Sequence, residues 1–171
     1  TGHKKSVNRL FGFVPQDFSF YQELSPAENL AFFGAWAGLN KSTISRKTEE
    51  LLDILGLADV RNRKVQEFSG GMKRRVNLAI GVIHEPRILF LDEPTVGVDV
   101  HSRHAIITYL KQLNEAGATL IYTSHQLSEA EDLCNKVALI DDGKIIAHDT
   151  LEQLMIDHKE DGLEGLFINL T

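Results

Sequence analysis

One cysteine, Cys134, stands in 171 residues, so no disulfide can form within the chain. Packing alone must hold the fold, and a lone thiol fits a reducing compartment. Long apolar runs are missing as well. No stretch approaches the ~20 residues needed to cross a bilayer, and the N-terminal residues do not read as a secretory signal. Any membrane contact is therefore expected through a partner. Positive charge is in deficit: 18 Lys and Arg face 24 Asp and Glu, leaving a net charge of -6. Nucleic-acid binding needs a basic footprint, and this balance argues against one. Internal repeats and low-complexity linkers are not found either.

What is present describes an ordinary globular protein. The length fits one domain with a real core, and 43% hydrophobic with 25% charged residues is a typical soluble composition. Leu10 to Val14 predict a short strand closed by Pro15-Gln16. Ser25-Pro26-Ala27-Glu28 combines an N-cap, a proline at the first helical position and a capping-box acid. The helix it opens runs through Leu30, Phe33 and Ala37 to near Gly38. A second helix carries Ile44, Thr48, Leu51 and Leu55 on one face, with Gly56 as its C-terminal stop. A third starts at Ser69, with Met72, Val76, Ala79, Ile80 and Ile83 at helical spacing.

Strands and helices alternate in the second half: a strand over 87–91, a helix over about 100–115, a strand over 118–123, a short helix after His125, and a strand over 136–141. Asp142-Gly143 is a two-residue hairpin signal leading into a strand over 144–148. Thr150-x-x-Gln153 then caps another helix. Such alternation predicts an α/β fold with a mostly parallel sheet. The three helices between 26 and 84 read as an inserted helical subdomain.

Ile88-Leu89-Phe90-Leu91 ends abruptly in Asp92-Glu93-Pro94. A continuous apolar run reads as a buried parallel strand, and ligands in open α/β sheets bind beyond the carboxyl ends of such strands. Two acids at that point suit a phosphate-bound Mg²⁺ and an attacking water. A solvated acidic turn is the alternative. Ser69-Gly70-Gly71 leaves the first amides of its helix uncovered, which suits an anion. A plain capped helix would look the same. Nowhere does the chain contain G-x-x-x-x-G-K-[ST], the loop that should hold the phosphates.

Taken together, these segments resemble the ATP-binding-cassette ATPases. Phe68-Ser69-Gly70-Gly71-Met72-Lys73-Arg74-Arg75 is similar to their signature, and Ile88 to Glu93 to their Walker B strand with its catalytic glutamate. Val96-Gly97-Val98-Asp99 resembles the D-loop, Thr123-Ser124-His125 the switch-histidine loop, and Val14-Pro15-Gln16 the Q-loop. All five occur in family order. The resemblance implies a P-loop NTPase fold, N-terminally incomplete: one partial domain over 1–171, with a helical subdomain over about 22–84 and an α/β core over 8–16 and 85–171.

The roles that the resemblance implies agree with elementary chemistry. Asp92 would hold Mg²⁺ through water, since this ion dehydrates reluctantly. Gln16 would reach the metal and the water, Glu93 would polarise the water, and His125 would contact the γ-phosphate. Ser69, Gly70 and Gly71 would act on the nucleotide of a second cassette subunit, and Asp99 would couple the two sites. The implied cofactors are ATP and Mg²⁺. The implied partners are transmembrane permease subunits and that second ATPase subunit, as a homodimer or heterodimer, at the cytoplasmic face of the membrane.

Phe68 and Met72 stand where the commonest signature has Leu and Gln, a variant familiar among drug and polysaccharide exporters. The family's Walker A loop and adenine-stacking aromatic lie upstream of the Q-loop, and the chain begins too late to include them. Residues 2–6 (Gly-His-Lys-Lys-Ser) lack the order such a loop needs. The 171 residues alone are therefore expected not to hydrolyse ATP, and a sheet lacking its next strand is expected to self-associate or leave a disordered N-terminal segment. The ending Leu166 to Thr171 resembles the natural close of exporter-type cassettes.

Three further features have plain readings. His101 and His104 are expected on a solvated helix face, with no third metal ligand evident. Lys73-Arg74-Arg75 could contact phosphate, but a polar helix face is the expectation. Phe18, Phe20 and Tyr21 fit either subdomain packing or, by resemblance, the docking surface for a membrane partner's coupling helix. A non-catalytic regulatory protein derived from such an ATPase is the competing function. Retention of Gln16, Asp92, Glu93 and His125 speaks against it.

Overall fold

The computed structural model describes residues 10–171. Residues 1–9, and with them residues 2–6, the start of the expected 8–16 core segment and the expected N-terminal behaviour, lie outside the described residues. The chain divides into two compact units, the first ending at Thr123 and the second covering Ser124–Thr171.

The first unit holds strand β1 (Phe11–Val14), helices α1 (Pro26–Trp36), α2 (Lys41–Ile54) and α3 (Gly70–Val82), strand β2 (Ile88–Asp92), helix α4 (Val100–Glu115) and strand β3 (Thr119–Thr123). The helices start where the sequence predicts, because each start carries its own cap. Ser25 Oγ accepts from Glu28 N, and Glu28 Oε2 accepts from Ser25 N at 2.8 Å, completing the capping box. Asn40 and Ser69 cap α2 and α3 through their side chains alone, accepting from Thr43 N and Met72 N. After α2, Gly56 takes a positive φ of 62°, which stops the helix at no steric cost.

The strands pair in the order β1-β2-β3, all parallel, so the central strand is the one that ends in the acid pair. Parallel neighbours need a crossover, and that between β1 and β2 carries all three helices of the expected subdomain. The register places Val14 beside Leu91 and Leu91 beside Tyr122, so the three carboxyl ends lie side by side. α3 packs directly on β1. A Cβ on Gly12 would come 2.6 Å from Gly81 O, and one on Gly81 only 2.5 Å from Val14 Cγ2. Only glycine permits so close an approach. Val14, Leu30, Leu52, Leu78, Leu89 and Ile106 fill the core.

The apolar run of β2 departs from expectation on one face. Leu89 and Leu91 are fully buried, but Phe90 is 37% exposed. Side chains alternate along a strand, and the row Phe13-Phe90-Ile121 shares the face on which no described element packs closely enough to bury them.

The second unit contains α5 (Leu127–Leu133), the antiparallel pair β4 (Lys136–Asp141) and β5 (Lys144–Thr150), α6 (Leu151–His158) and α7 (Leu163–Leu170). Asp142 and Gly143 both have positive φ, 46° and 73°, as the tight hairpin turn requires. Val137, Leu139, Leu154, Leu163 and Leu166 form its own core. α7 has no local signal in the sequence. Gly162 precedes it without a side-chain cap, and the Leu163 amide instead donates to Glu131, 32 residues earlier.

Candidate functional site

The carboxyl ends of β1, β2 and β3 converge on one hydrogen-bonded cluster. Gln16, two residues past β1, donates through Nε2 to Glu93 Oε2 at 3.1 Å. Asp92 closes β2, and its Oδ1 accepts from Thr123 Oγ1 at 2.7 Å. Glu93 N donates to Thr123 O at 3.1 Å, which ties the turn after β2 to the end of β3. Glu93 itself has φ 46°, a left-handed conformation uncommon for a non-glycine residue. Such strain persists where surrounding structure holds it, and it clusters at functional sites. Thr95, fully buried, adds a hydrogen bond to the Tyr122 hydroxyl at 3.1 Å.

The donor set is all oxygen: two carboxylates and a side-chain amide. Mg²⁺ takes hard oxygen ligands and is usually held by one or two carboxylates plus waters and substrate phosphates. Asp92 and Gln16 fit that requirement. Among the described residues no group of three or more His, Cys, Asp or Glu could hold a metal unaided, so the remaining ligands would be waters and phosphate oxygens.

The glycines of the signature segment face the start of α4. Ser69 Oγ caps α3 by accepting from Met72 N at 3.3 Å. A Cβ on Gly71 would lie 2.6 Å from Asp99 Oδ2. Asp99 in turn caps α4: its Oδ1 accepts from Ser102 N at 2.9 Å and its Oδ2 from Ser102 Oγ at 2.7 Å. Those two bonds hold its carboxyl below the usual carboxylate range. Gly70 stands near Gly97, whose carbonyl oxygen would be 3.7 Å from an added Cβ. Ser69, Gly70 and Asp99 are thus exposed near one another in the first unit, while Gly71 is buried against Asp99 and Ser102. His125 belongs to the second unit, in the loop before α5.

The basic triplet does not form the expected polar face. Arg74 is 8% exposed; its guanidinium donates to the Gln16 carbonyl oxygen and lies over the Phe18 ring, 4.9 Å from the centroid. Burial pushes its pKa down, while the carboxylates of Asp17, Glu93 and Asp92 act in the opposite sense. Arg75 donates to the carbonyls of Leu55 and Gly56 at 2.8 and 3.3 Å, satisfying the C-terminal end of α2. Lys73 reaches Gln22 at 3.4 Å. A signal existed: Gly71, Arg74, Leu78 and Gly81 form one helical stripe, and that stripe is the packed one. His101 and His104 are both exposed on the first turns of α4.

The rings of Phe18 and Phe20 meet at a tilt with centroids 5.4 Å apart, and Tyr21 meets Phe32 edge-on at 5.0 Å. Phe33 continues the row to Trp36, which is 81% exposed. Tyr21 thus packs on α1, as the packing reading expects, while Phe18 packs against Phe20 and Arg74.

Known proteins resemble this chain in sequence and in fold. The chain is 44% identical to the linearmycin resistance ATP-binding protein LnrL of Bacillus subtilis over 143 residues, covering 84% of this chain and 46% of that protein. It is 40% identical to the Nod factor export ATP-binding protein I of Cupriavidus pinatubonensis, over 82% of this chain and 45% of that one. The chain thus spans about half the length of these curated relatives. A solved structure of an ATP-binding subunit of an ABC transporter superposes with a TM-score of 0.87 at 25% identity, covering 99% of this chain and 71% of that one. The α/β architecture, a parallel sheet with its inserted helices, is accordingly the fold of ABC ATPases. Residues 2–96, more than half of the sequence, match the family model described as ABC transporter, and the chain belongs to that family.

Proposed function

We propose that the chain is a partial cassette domain from the ATP-hydrolysing subunit of a membrane exporter. Residues 22–84 would be its helical subdomain, and 8–16 with 85–171 its α/β core. The observation that carries this reading is the cluster at the carboxyl ends of the three parallel strands, where the Gln16 amide meets Glu93 and Thr123 fixes Asp92. The names of the relatives, one a resistance protein and one an export protein, support the exporter class.

In this reading Asp92 and Gln16 would hold Mg²⁺, which would neutralise charge on the transferring phosphoryl group. Glu93 accepts a proton from the attacking water, and its hydrogen bond from Gln16 keeps that carboxylate oriented. His125 contributes from the loop after β3. Ser69, Gly70, Gly71 and Asp99 act on the nucleotide of a second subunit, and the close packing of Gly71 against Asp99 supports a shared role. The ridge from Phe18 to Trp36 would receive a transmembrane permease subunit. No described helix is long and apolar enough to cross a membrane. The family resemblance puts the subunit at the cytoplasmic face, held there by its partner.

Glu93→Gln in the full-length subunit is the direct test. Removing a general base costs about 100-fold or more in turnover, while nucleotide affinity should stay within about threefold, since the carboxylate acts in the transition state and not in the ground state. Undiminished hydrolysis would remove Glu93 from its role.

A further inference from the structure

α3 grips the loop after β1 at two successive carbonyls. Asn77 Nδ2 donates to Pro15 O at 2.9 Å, and the Arg74 guanidinium donates to Gln16 O. The two side chains are three residues apart, so they project from the same face of the helix. Both are buried, Asn77 at 3% and Arg74 at 8% exposure. One turn further on, Gly81 lets the helix rest against β1, which brings these side chains within reach of the loop.

A structural explanation is that the two side chains only satisfy backbone acceptors. Burying a guanidinium is costly, and a neutral amide would satisfy a carbonyl more cheaply. What the guanidinium adds is a rigid fork that stacks on the Phe18 ring of the same loop while bonding its backbone. The loop is thus held from two directions around Gln16. The side chain of that same residue donates to Glu93. An unbroken path runs from α3 through the backbone and amide of Gln16 to the carboxylate at the end of β2.

We propose that Arg74 and Asn77 are positioning residues for hydrolysis, a latch by which the signature helix sets Gln16 against Glu93 of its own subunit. This rests on the hydrolytic role proposed above for Glu93. The helix that presents Ser69, Gly70 and Gly71 to the neighbouring subunit's nucleotide thereby also fixes the geometry of the home site. A shift at the α3 N-terminus reaches Glu93 through two hydrogen bonds and one loop.

The test uses the full-length subunit assembled with its partners. Arg74→Met keeps the stem and removes the donors. It should lower kcat about tenfold, since a small misplacement of catalytic groups is enough to slow the chemistry, and leave KM for ATP within about twofold. Arg74→Lys should recover part of the loss. Because the latch works through Gln16, Gln16→Ala combined with Arg74→Met should be no slower than Gln16→Ala alone. Additive losses, or a rise in KM at unchanged kcat, overturn the latch. Should Arg74→Met fail to fold, Phe18→Leu, which removes the stacked ring from a half-buried loop position, enters the same cycle with the same criterion. Glu93→Gln is measured in parallel. A wild-type subunit without ATP hydrolysis sinks the ATPase reading, and undiminished hydrolysis in Glu93→Gln removes Glu93 from its role, whereas hydrolysis lost there but undiminished in Arg74→Met sinks the latch alone.

Discussion

Glu28 occupies the third position of α1 and accepts hydrogen bonds from the Ser25 backbone amide and, second, from its hydroxyl. Both favour the ionised form, so the fold holds this carboxyl below its ordinary value. The stabilisation is fully present above the unfolded pKa of about 4 and is lost as the pH falls through the lower folded value. Glu28→Gln retains a capping-box side chain but cannot titrate. Wild type should therefore melt higher than Glu28→Gln at pH 7, with the gap closing below about pH 4. A gap that does not change with pH would mean that the charge of Glu28 contributes nothing. Asp99, held down by Ser102, adds to the same acid sensitivity. At this scale the capping chemistry was readable because cap and partner are three residues apart. The convergence of Gln16, Asp92 and Glu93 was readable because their order along the chain matches a family. Arg74 was misread, since its charge suggested solvent and its acceptor lies 58 residues away.

The elements were legible to within two or three residues wherever a start or stop is written locally. α4 and β4 begin and end where periodicity puts them, and the Asp142-Gly143 turn behaves as its residues require. α7 escaped notice because its first amide is satisfied by Glu131, a contact that exists only after folding. The contact of α3 with β1 is likewise invisible in a linear reading: Gly12 and Gly81 look like unremarkable small residues until the two backbones meet. Gly81→Ala should therefore be costly. The new methyl would sit 3.1 Å from Phe13 O and 2.5 Å from Val14 Cγ2, with backbone on one side and a buried strand residue on the other. Overpacking of this kind costs about 1–3 kcal/mol. The denaturant midpoint should fall accordingly, with no change in the slope of the transition. An unaltered midpoint would show that α3 can retreat from β1 freely.

At the scale of the molecule, the apolar sheet face outranks any single motif in what it predicts. Phe13, Phe90 and Ile121 align across three strands, with Phe11 beside Phe90 at 6.2 Å between rings, and all four are exposed. Contiguous apolar surface on a folded chain marks an interface or an aggregation site, and among the described residues β1 and β3 are the outer strands of the sheet. Local pattern could not distinguish this face from the buried one, because Phe90 and Leu89 are equally apolar and only the third dimension tells which is covered. The 171-residue chain on its own should consequently self-associate through this face. Phe13, at 60% exposure, is the residue to change, because a charge there disrupts the row and costs the core little. Sedimentation velocity over a range of concentrations should show a mass that rises for wild type and stays monomeric for Phe13→Glu, which adds charge of the sign already in excess. Adding salt should not dissolve the wild-type association, since screening weakens charge pairs and leaves apolar contacts intact. A wild-type chain that remains monomeric throughout would mean that this face is not an interface. A Phe13→Glu chain that associates as strongly as wild type would place the interface elsewhere, at a strand edge and not on the face.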